Sequence, residues 1–169
     1  MEYQTIQHTF EPVYDENSKI LILGSLPSVK SRENHFYYGH PQNRFWRLLA
    51  SLFESRVPET IAEKKDFLLC HHIALWDVIA QCDILGSSDS SIRNVIPNDM
   101  NVILEHAPIQ RIYANGNKAY ELYEKYCYPS CGRKVIKLPS TSPANAAYGF
   151  ERLQKAWKDS LSEYQEICI

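Results

Sequence analysis

Lys19-Ile20-Leu21-Ile22-Leu23-Gly24-Ser25-Leu26-Pro27-Ser28 is the stretch that decides the fold. Residues 19–25 form a short apolar run bounded by polar and turn residues, the pattern of a buried strand. Gly24 lets the backbone turn tightly or approach a ligand closely. Pro27 stiffens the loop that leaves the strand. On these residues alone, an ordinary turn out of a strand fits as well as a ligand-binding loop.

Three further runs have the same character: residues 73–78, 111–115 and 134–138. Helical patterns fall between and after them, at 43–53, 59–69, 98–106, 118–126 and 152–164. In 43–53 the apolar residues Phe45, Trp46, Leu48, Leu49 and Leu52 are near helical spacing. Alternating strands and helices predict an α/β fold, a parallel sheet covered by helices on both faces. Ligands in such sheets bind beyond the carboxyl ends of the strands, so the loops after Ser25 and Leu138 are the places to look for chemistry.

The chain has 169 residues, 44% hydrophobic and 22% charged, which fits one globular domain over residues 1–169 rather than a disordered chain. Its apolar runs are too short to span a bilayer. The start, Met1-Glu2-Tyr3-Gln4, lacks a basic region followed by an apolar run, so a cytoplasmic protein is expected. Five cysteines, Cys70, Cys82, Cys127, Cys131 and Cys168, fit reduced thiols. Cys127 and Cys131 are the one close pair, and His71-His72 is the other candidate ligand pair. Neither has the repeated spacing of a zinc or iron–sulfur site, and no metal or other cofactor is expected.

Net charge is −2, which argues against a nonspecific nucleic-acid coat and requires any nucleic-acid contact to use a local patch. Between Ser28 and Arg47, Lys30, Arg32, Arg44 and Arg47 face the single acid Glu33. Within this patch lies His35-Phe36-Tyr37-Tyr38-Gly39-His40-Pro41-Gln42-Asn43-Arg44-Phe45-Trp46. A flat aromatic can stack on a base flipped from a duplex. Tyr37 and Tyr38 precede the helix and are the stacking candidates, whereas Phe45 and Trp46 suit the core. Asn43 has an amide that can read a base edge or hold water. It is equally suited to cap the helix. A third segment, Leu138-Pro139-Ser140-Thr141-Ser142-Pro143-Ala144-Asn145-Ala146, is stiff, neutral and rich in hydroxyls. Such a loop can approach phosphates and push a small apolar group into a base stack, or simply join a strand to a capped helix.

Taken together, the three segments resemble the hypoxanthine-DNA glycosylases, a branch of the uracil-DNA glycosylase superfamily. Ala74-Leu75-Trp76-Asp77-Val78 and Ser91-Ile92-Arg93-Asn94-Val95-Ile96-Pro97-Asn98-Asp99 also look like that branch. The resemblance runs from about Lys19 to Trp157. It implies a three-layer α/β/α sandwich on a central, mainly parallel four-stranded sheet. It also implies a monofunctional glycosylase that removes deaminated bases from DNA, hypoxanthine first among them. The mismatch-specific branch has a water-positioning Asn where this chain has Leu26. In the hypoxanthine branch the important Asn lies in the Pro-x-Asn-x-Phe-Trp stretch, which is Asn43 here.

The resemblance thus implies a catalytic Asn43 and base contacts from Gly24, Ser25, Leu26, Pro27, Tyr38 and Asn115. DNA contacts are expected from Ser28, Lys30, Arg44, Ser140, Ser142, Pro143, Ala144 and Asn145. The expected partner is DNA carrying deaminated bases, bound by a monomer away from any membrane. No lysine is placed as a Schiff-base nucleophile, so no strand cleavage is expected. Three alternatives stay open on sequence alone: a uracil or mismatch glycosylase, a non-catalytic damage-binding module, and a nucleosidase acting on free inosine.

Overall fold

The computed structural model describes residues 2–8 and 10–162. Four strands form a wholly parallel sheet in the order β3-β2-β6-β7: β2 (Ile20–Gly24), β3 (Ile73–Asp77), β6 (Arg111–Asn115) and β7 (Val135–Leu138). These are the four strands expected from the apolar runs. Every residue of β2 and β3 is buried. Successive strand side chains point to opposite faces, so burial of all of them means that both faces are covered. The α/β sandwich is therefore present as read.

The covering helices are α1 (Val29–Asn34), α2 (Phe45–Leu52), α3 (Ile61–Cys70), α4 (Asn101–Leu104), α5 (Asn117–Leu122), α6 (Tyr128–Cys131) and α7 (Phe150–Ser162). The fully buried Trp157 of α7 packs edge-on against Phe45 of α2 and donates to the Pro139 carbonyl. Three helix expectations are corrected. Residues 98–106 supply only the one-turn α4. The 118–126 pattern breaks into α5, a π-turn at Tyr123–Cys127 and α6. Residues 29–34, in the stretch expected as a loop after the first strand, are helical because the Ser28 hydroxyl accepts the Ser31 N–H and caps them. Residues 163 and 164 of the last expected helix, and Cys168, lie outside the described residues.

A second sheet was not foreseen. β1 (Tyr3–Gln7), β4 (Ile79–Leu85) and β5 (Arg93–Pro97) form an antiparallel sheet in the order β1-β4-β5. β4 follows β3 after the single residue Val78, so the two sheets share one continuous stretch of chain. Polar cross-strand pairs, Thr5 to Asp83 at 2.6 Å and Gln7 to Gln81 at 3.0 Å, decorate it. Its role for the site is to bring residue 8 against the end of β3.

Register places the chemistry. Gly24 pairs with Asp77, and Asn115 pairs with Leu138. These four residues end their strands along one edge of the parallel sheet. The chain leaves β2 toward β3 on one side and later returns to β6 on the other, so the edge beside Gly24 and Asn115 is the topological switch point.

Candidate active site

A cleft of about 1230 Å³ opens at this edge. It is bordered by the 24–28 loop, Tyr38, Asn43, Asp77, Asn115 and the 138–145 loop. The three segments singled out in the sequence thus meet around one cavity.

Asn43 stands just before α2, and its orientation is fixed by its neighbours. Its Oδ1 accepts the Phe45 backbone N–H at 2.9 Å and the Thr141 hydroxyl at 2.9 Å. A backbone N–H can only donate, so the oxygen must be the atom on that side. The Nδ2 group then remains as a donor, with no protein acceptor among the described residues, on a side chain that borders the cleft. Asn43 therefore does cap the helix, and it also presents N–H to the cleft. The two sequence readings are not exclusive. Only the donor half of the amide is available, however, so the expected donor–acceptor readout of a base reduces to a donor.

Thr141 is fully buried and links Asn43 to Asn115. The Asn115 Nδ2 donates to Thr141 Oγ1 at 3.0 Å, and the Thr141 N–H donates to Asn115 Oδ1 at 3.0 Å. Asn115, expected to contact the base, instead has much of its amide engaged in holding the 140s loop. Thr141 was not singled out from the sequence. A lone threonine in a loop gives no signal that its hydroxyl will be threaded between two amides.

Tyr38 is held in the left-handed region at φ 53°. This is uncommon for a residue with a Cβ and marks a constrained position. Its ring stacks on Phe45, with centroids 4.0 Å apart and planes at 23°. Burial, reinforced by the nearby Asp77 carboxylate, pushes the phenol titration upward, so it stays a neutral hydroxyl. Tyr37, the other stacking candidate, goes to the core instead. It is 1% exposed, its hydroxyl donates to the Glu11 carbonyl, and its ring packs on Phe36 and Phe10.

In the 24–28 loop, the N–H groups of Ser25, Leu26 and Ser28 make no hydrogen bond within the described residues. Gly24 is required for close packing: a Cβ there would stand 2.3 Å from Asp77 Oδ1 and 3.0 Å from the Tyr38 hydroxyl oxygen.

Arg44 is placed differently from the DNA contact expected of it. Its guanidinium donates to the carbonyls of Thr141, Ser142, Asn145 and Tyr148. It clamps the 141–148 loop to the start of α2. Ser28 is likewise engaged as the α1 cap. Lys30 is exposed and pairs with Glu33 at 3.3 Å, an ion pair that yields easily to a phosphate. Ser140 and Ser142 each accept a backbone N–H within the loop and keep a hydroxyl proton to give. Pro143 and Ala144 are exposed at its tip, and the Asn145 amide donates to the Ser140 carbonyl.

Cys127 is buried, and Cys131 Sγ lies 3.1 Å from the Tyr123 hydroxyl oxygen. Among the described residues no three His, Cys, Asp or Glu side chains gather as a metal site would require. No helix among them is long and apolar enough to cross a membrane.

Fold and site together define a parallel α/β domain with a cleft at the switch point, bordered by an aromatic ring and a side-chain amide. Comparison with known proteins is specific about which domain this is. Residues 11–161 match the Uracil DNA glycosylase superfamily, and the chain belongs to that superfamily. It is 39% identical over 155 residues to a hypoxanthine DNA glycosylase of Methanosarcina acetivorans, covering 90% of this chain and 96% of that one. It is 40% identical over 138 residues to a hypoxanthine DNA glycosylase of Methanosarcina barkeri, covering 80% and 86%. A solution NMR structure of a uracil DNA glycosylase candidate from Methanosarcina acetivorans superposes with TM-score 0.77 at 36% identity, over 91% of this chain and 95% of that chain.

Proposed function

We propose that this chain, as a single domain acting as a monomer, is a monofunctional DNA glycosylase that hydrolyses the N-glycosidic bond of deoxyinosine in DNA. The observation that carries the reading is the donor-only face of Asn43 beside the stacking ring of Tyr38. Hypoxanthine offers O6 and N7 as acceptors on one edge. Adenine keeps N7 but replaces O6 by an amino group, so an Asn43 N–H aimed at position 6 would meet it donor to donor. Discrimination against a mispaired donor in a buried site is strong because a polar group is left unsatisfied.

In the reaction, the flipped base lies against the face of Tyr38 that Phe45 does not cover. As the bond from C1′ to the base nitrogen lengthens, negative charge grows on the purine. Asn43 Nδ2 and the unengaged N–H groups of the 24–28 loop are placed to stabilise that charge. Leu26 offers no group to orient water. The hydroxyls of Ser140 and Ser142 hold the flanking phosphates, and Pro143-Ala144 fills the space the base has left. The pocket needs no closure around free ribose, which separates this reading from a nucleosidase.

Two experiments bear on it directly. DNA affinity should fall as salt rises, with a slope of only a few phosphates, since Arg44 is engaged internally and the patch is small. A flat salt response would remove DNA as the substrate. Free deoxyinosine should survive under conditions that convert a deoxyinosine-containing oligonucleotide to an abasic product. Equal hydrolysis of both would favour a nucleosidase.

A further inference from the structure

Asp77 has no part in the reaction as given above, yet its carboxylate borders the cleft at the end of β3, level with Gly24. Its side chain is 4% exposed. A carboxylate so far from water is costly unless something compensates for its charge. The compensation is one-sided. Oδ2 lies 2.8 Å from His8 Nε2, and the His8 side chain is itself 2% exposed. Oδ1 has no protein donor within the described residues. It lies 2.3 Å from where a Gly24 Cβ would be, and the Tyr38 hydroxyl oxygen, which is buried with no hydrogen-bond partner among the described residues, lies 3.0 Å from the same point. Both oxygens thus crowd Gly24 Cα, which has no room for a side chain, and both belong to residues that border the cleft. A water on the cleft side of the two oxygens would satisfy both, in the loop where Leu26 supplies nothing polar.

We propose that Asp77 is the carboxylate that takes the proton from the attacking water, and that His8 is the residue that positions it. The water's oxygen bonds to C1′ as the pair from the C1′–N bond leaves with the purine. The water's proton passes to Asp77 Oδ1 and from there to the departing base or to solvent, so the carboxylate is regenerated. The Tyr38 hydroxyl donates to the same water. His8 reaches Asp77 from beyond β1, and it lies outside the 11–161 segment matched by the superfamily. The groups facing Asp77 are His8, the Tyr37 and Tyr38 hydroxyls, and the Asn98 side chain, which donates to the Asp77 backbone carbonyl at 2.8 Å. Glu11 acts on Tyr37 from the other side.

This proposal rests on the glycosylase reading, and the wild-type chain separates the two. If wild type excises no base, the reading itself fails. If wild type excises and the Asp77, His8 and Gly24 variants do not differ from it, only the role of Asp77 fails. The experiment is single-turnover excision of hypoxanthine from an oligonucleotide across the pH range. Affinity is measured separately, on an oligonucleotide carrying non-hydrolysable 2′-fluoro-deoxyinosine. Asp77→Asn should lower the rate about a hundredfold, the usual worth of a placed general base. It should also abolish the acidic limb of the pH–rate profile while leaving affinity within about threefold, which is under 1 kcal/mol. His8→Gln, which can still donate to Oδ2, should move that limb with affinity unchanged. Gly24→Ala leaves both residues in place but pushes on Oδ1, and should reproduce the rate loss even if Asp77→Asn fails to fold. Wild-type rate and profile in Asp77→Asn would overturn the proposal. So would rate, affinity and melting temperature falling together in all three variants.

Discussion

Asn43→Ala is expected to lower single-turnover excision by about a hundredfold or more, the usual effect of removing one preorganised donor from a developing charge. The same change should cost stability. It removes the acceptor that caps Phe45 N–H and receives the buried Thr141 hydroxyl. Loss of a cap costs about 1 kcal/mol, and an unsatisfied buried hydroxyl about 1–3 kcal/mol. A rate loss in the alanine variant alone would therefore be ambiguous. Asn43→Asp resolves it. Aspartate keeps both acceptor bonds and replaces the Nδ2 donor by an anionic oxygen that repels the developing charge. It should melt close to wild type while excision falls as far as in the alanine variant. If Asn43→Asp excised hypoxanthine at near wild-type rate, the donor would have no role and Asn43 would be a cap alone.

Arg44→Lys is expected to behave as badly as Arg44→Met. A lysine preserves the charge and would largely preserve a phosphate contact. It cannot reproduce a planar fork that reaches four carbonyls of the 141–148 loop. Hydrogen bonds from a charged donor contribute about 1.5–3 kcal/mol each when lost with a part-buried acceptor left behind. A loss of about 2 kcal/mol lowers the melting temperature of a chain this size by about 4–8 °C. Because Thr141 would move with the loop, Asn43 would lose its positioning partner. A displacement near 1 Å costs about a hundredfold in rate. The salt slope of DNA binding should stay as in wild type. A slope reduced by one phosphate, with melting and excision kept by lysine, would return Arg44 to the DNA surface.

What the sequence disclosed depended on whether the signal was local. The parallel sheet was legible because β2, β3 and most of β6 are buried on both faces and so read as continuous apolar runs, while the partly buried β7 keeps the apolar Val135, Ile136 and Leu138. The antiparallel sheet was not, because β1 and β5 are largely exposed and polar, and β4 carries bulges that interrupt its register. The three loop segments were found because aromatic, amide and hydroxyl residues cluster in each. Their internal division of labour was hidden. Arg44 beside an aromatic string suggests a phosphate contact, and only the position of the 140s carbonyls, about a hundred residues away, shows it to be a clamp. Asp77 reads as the polar end of a strand until the N-terminal His8 is brought against it by β1, which pairs with β4 from the far end of the chain. Thr141 joins Asn43, 98 residues away, to Asn115, 26 residues away.

On the proposed reading, the Asn43 donor beside the Tyr38 ring admits hypoxanthine and turns adenine away. The direct measurement is single-turnover conversion of duplex oligonucleotides carrying one hypoxanthine, uracil, xanthine, mismatched thymine or adenine, with enzyme in excess and abasic sites counted by alkaline cleavage. Abasic product is expected from hypoxanthine at the highest rate, with none from adenine and no strand break before alkali. Tight binding to the hypoxanthine duplex with no abasic product, or faster release of uracil than of hypoxanthine, would contradict it.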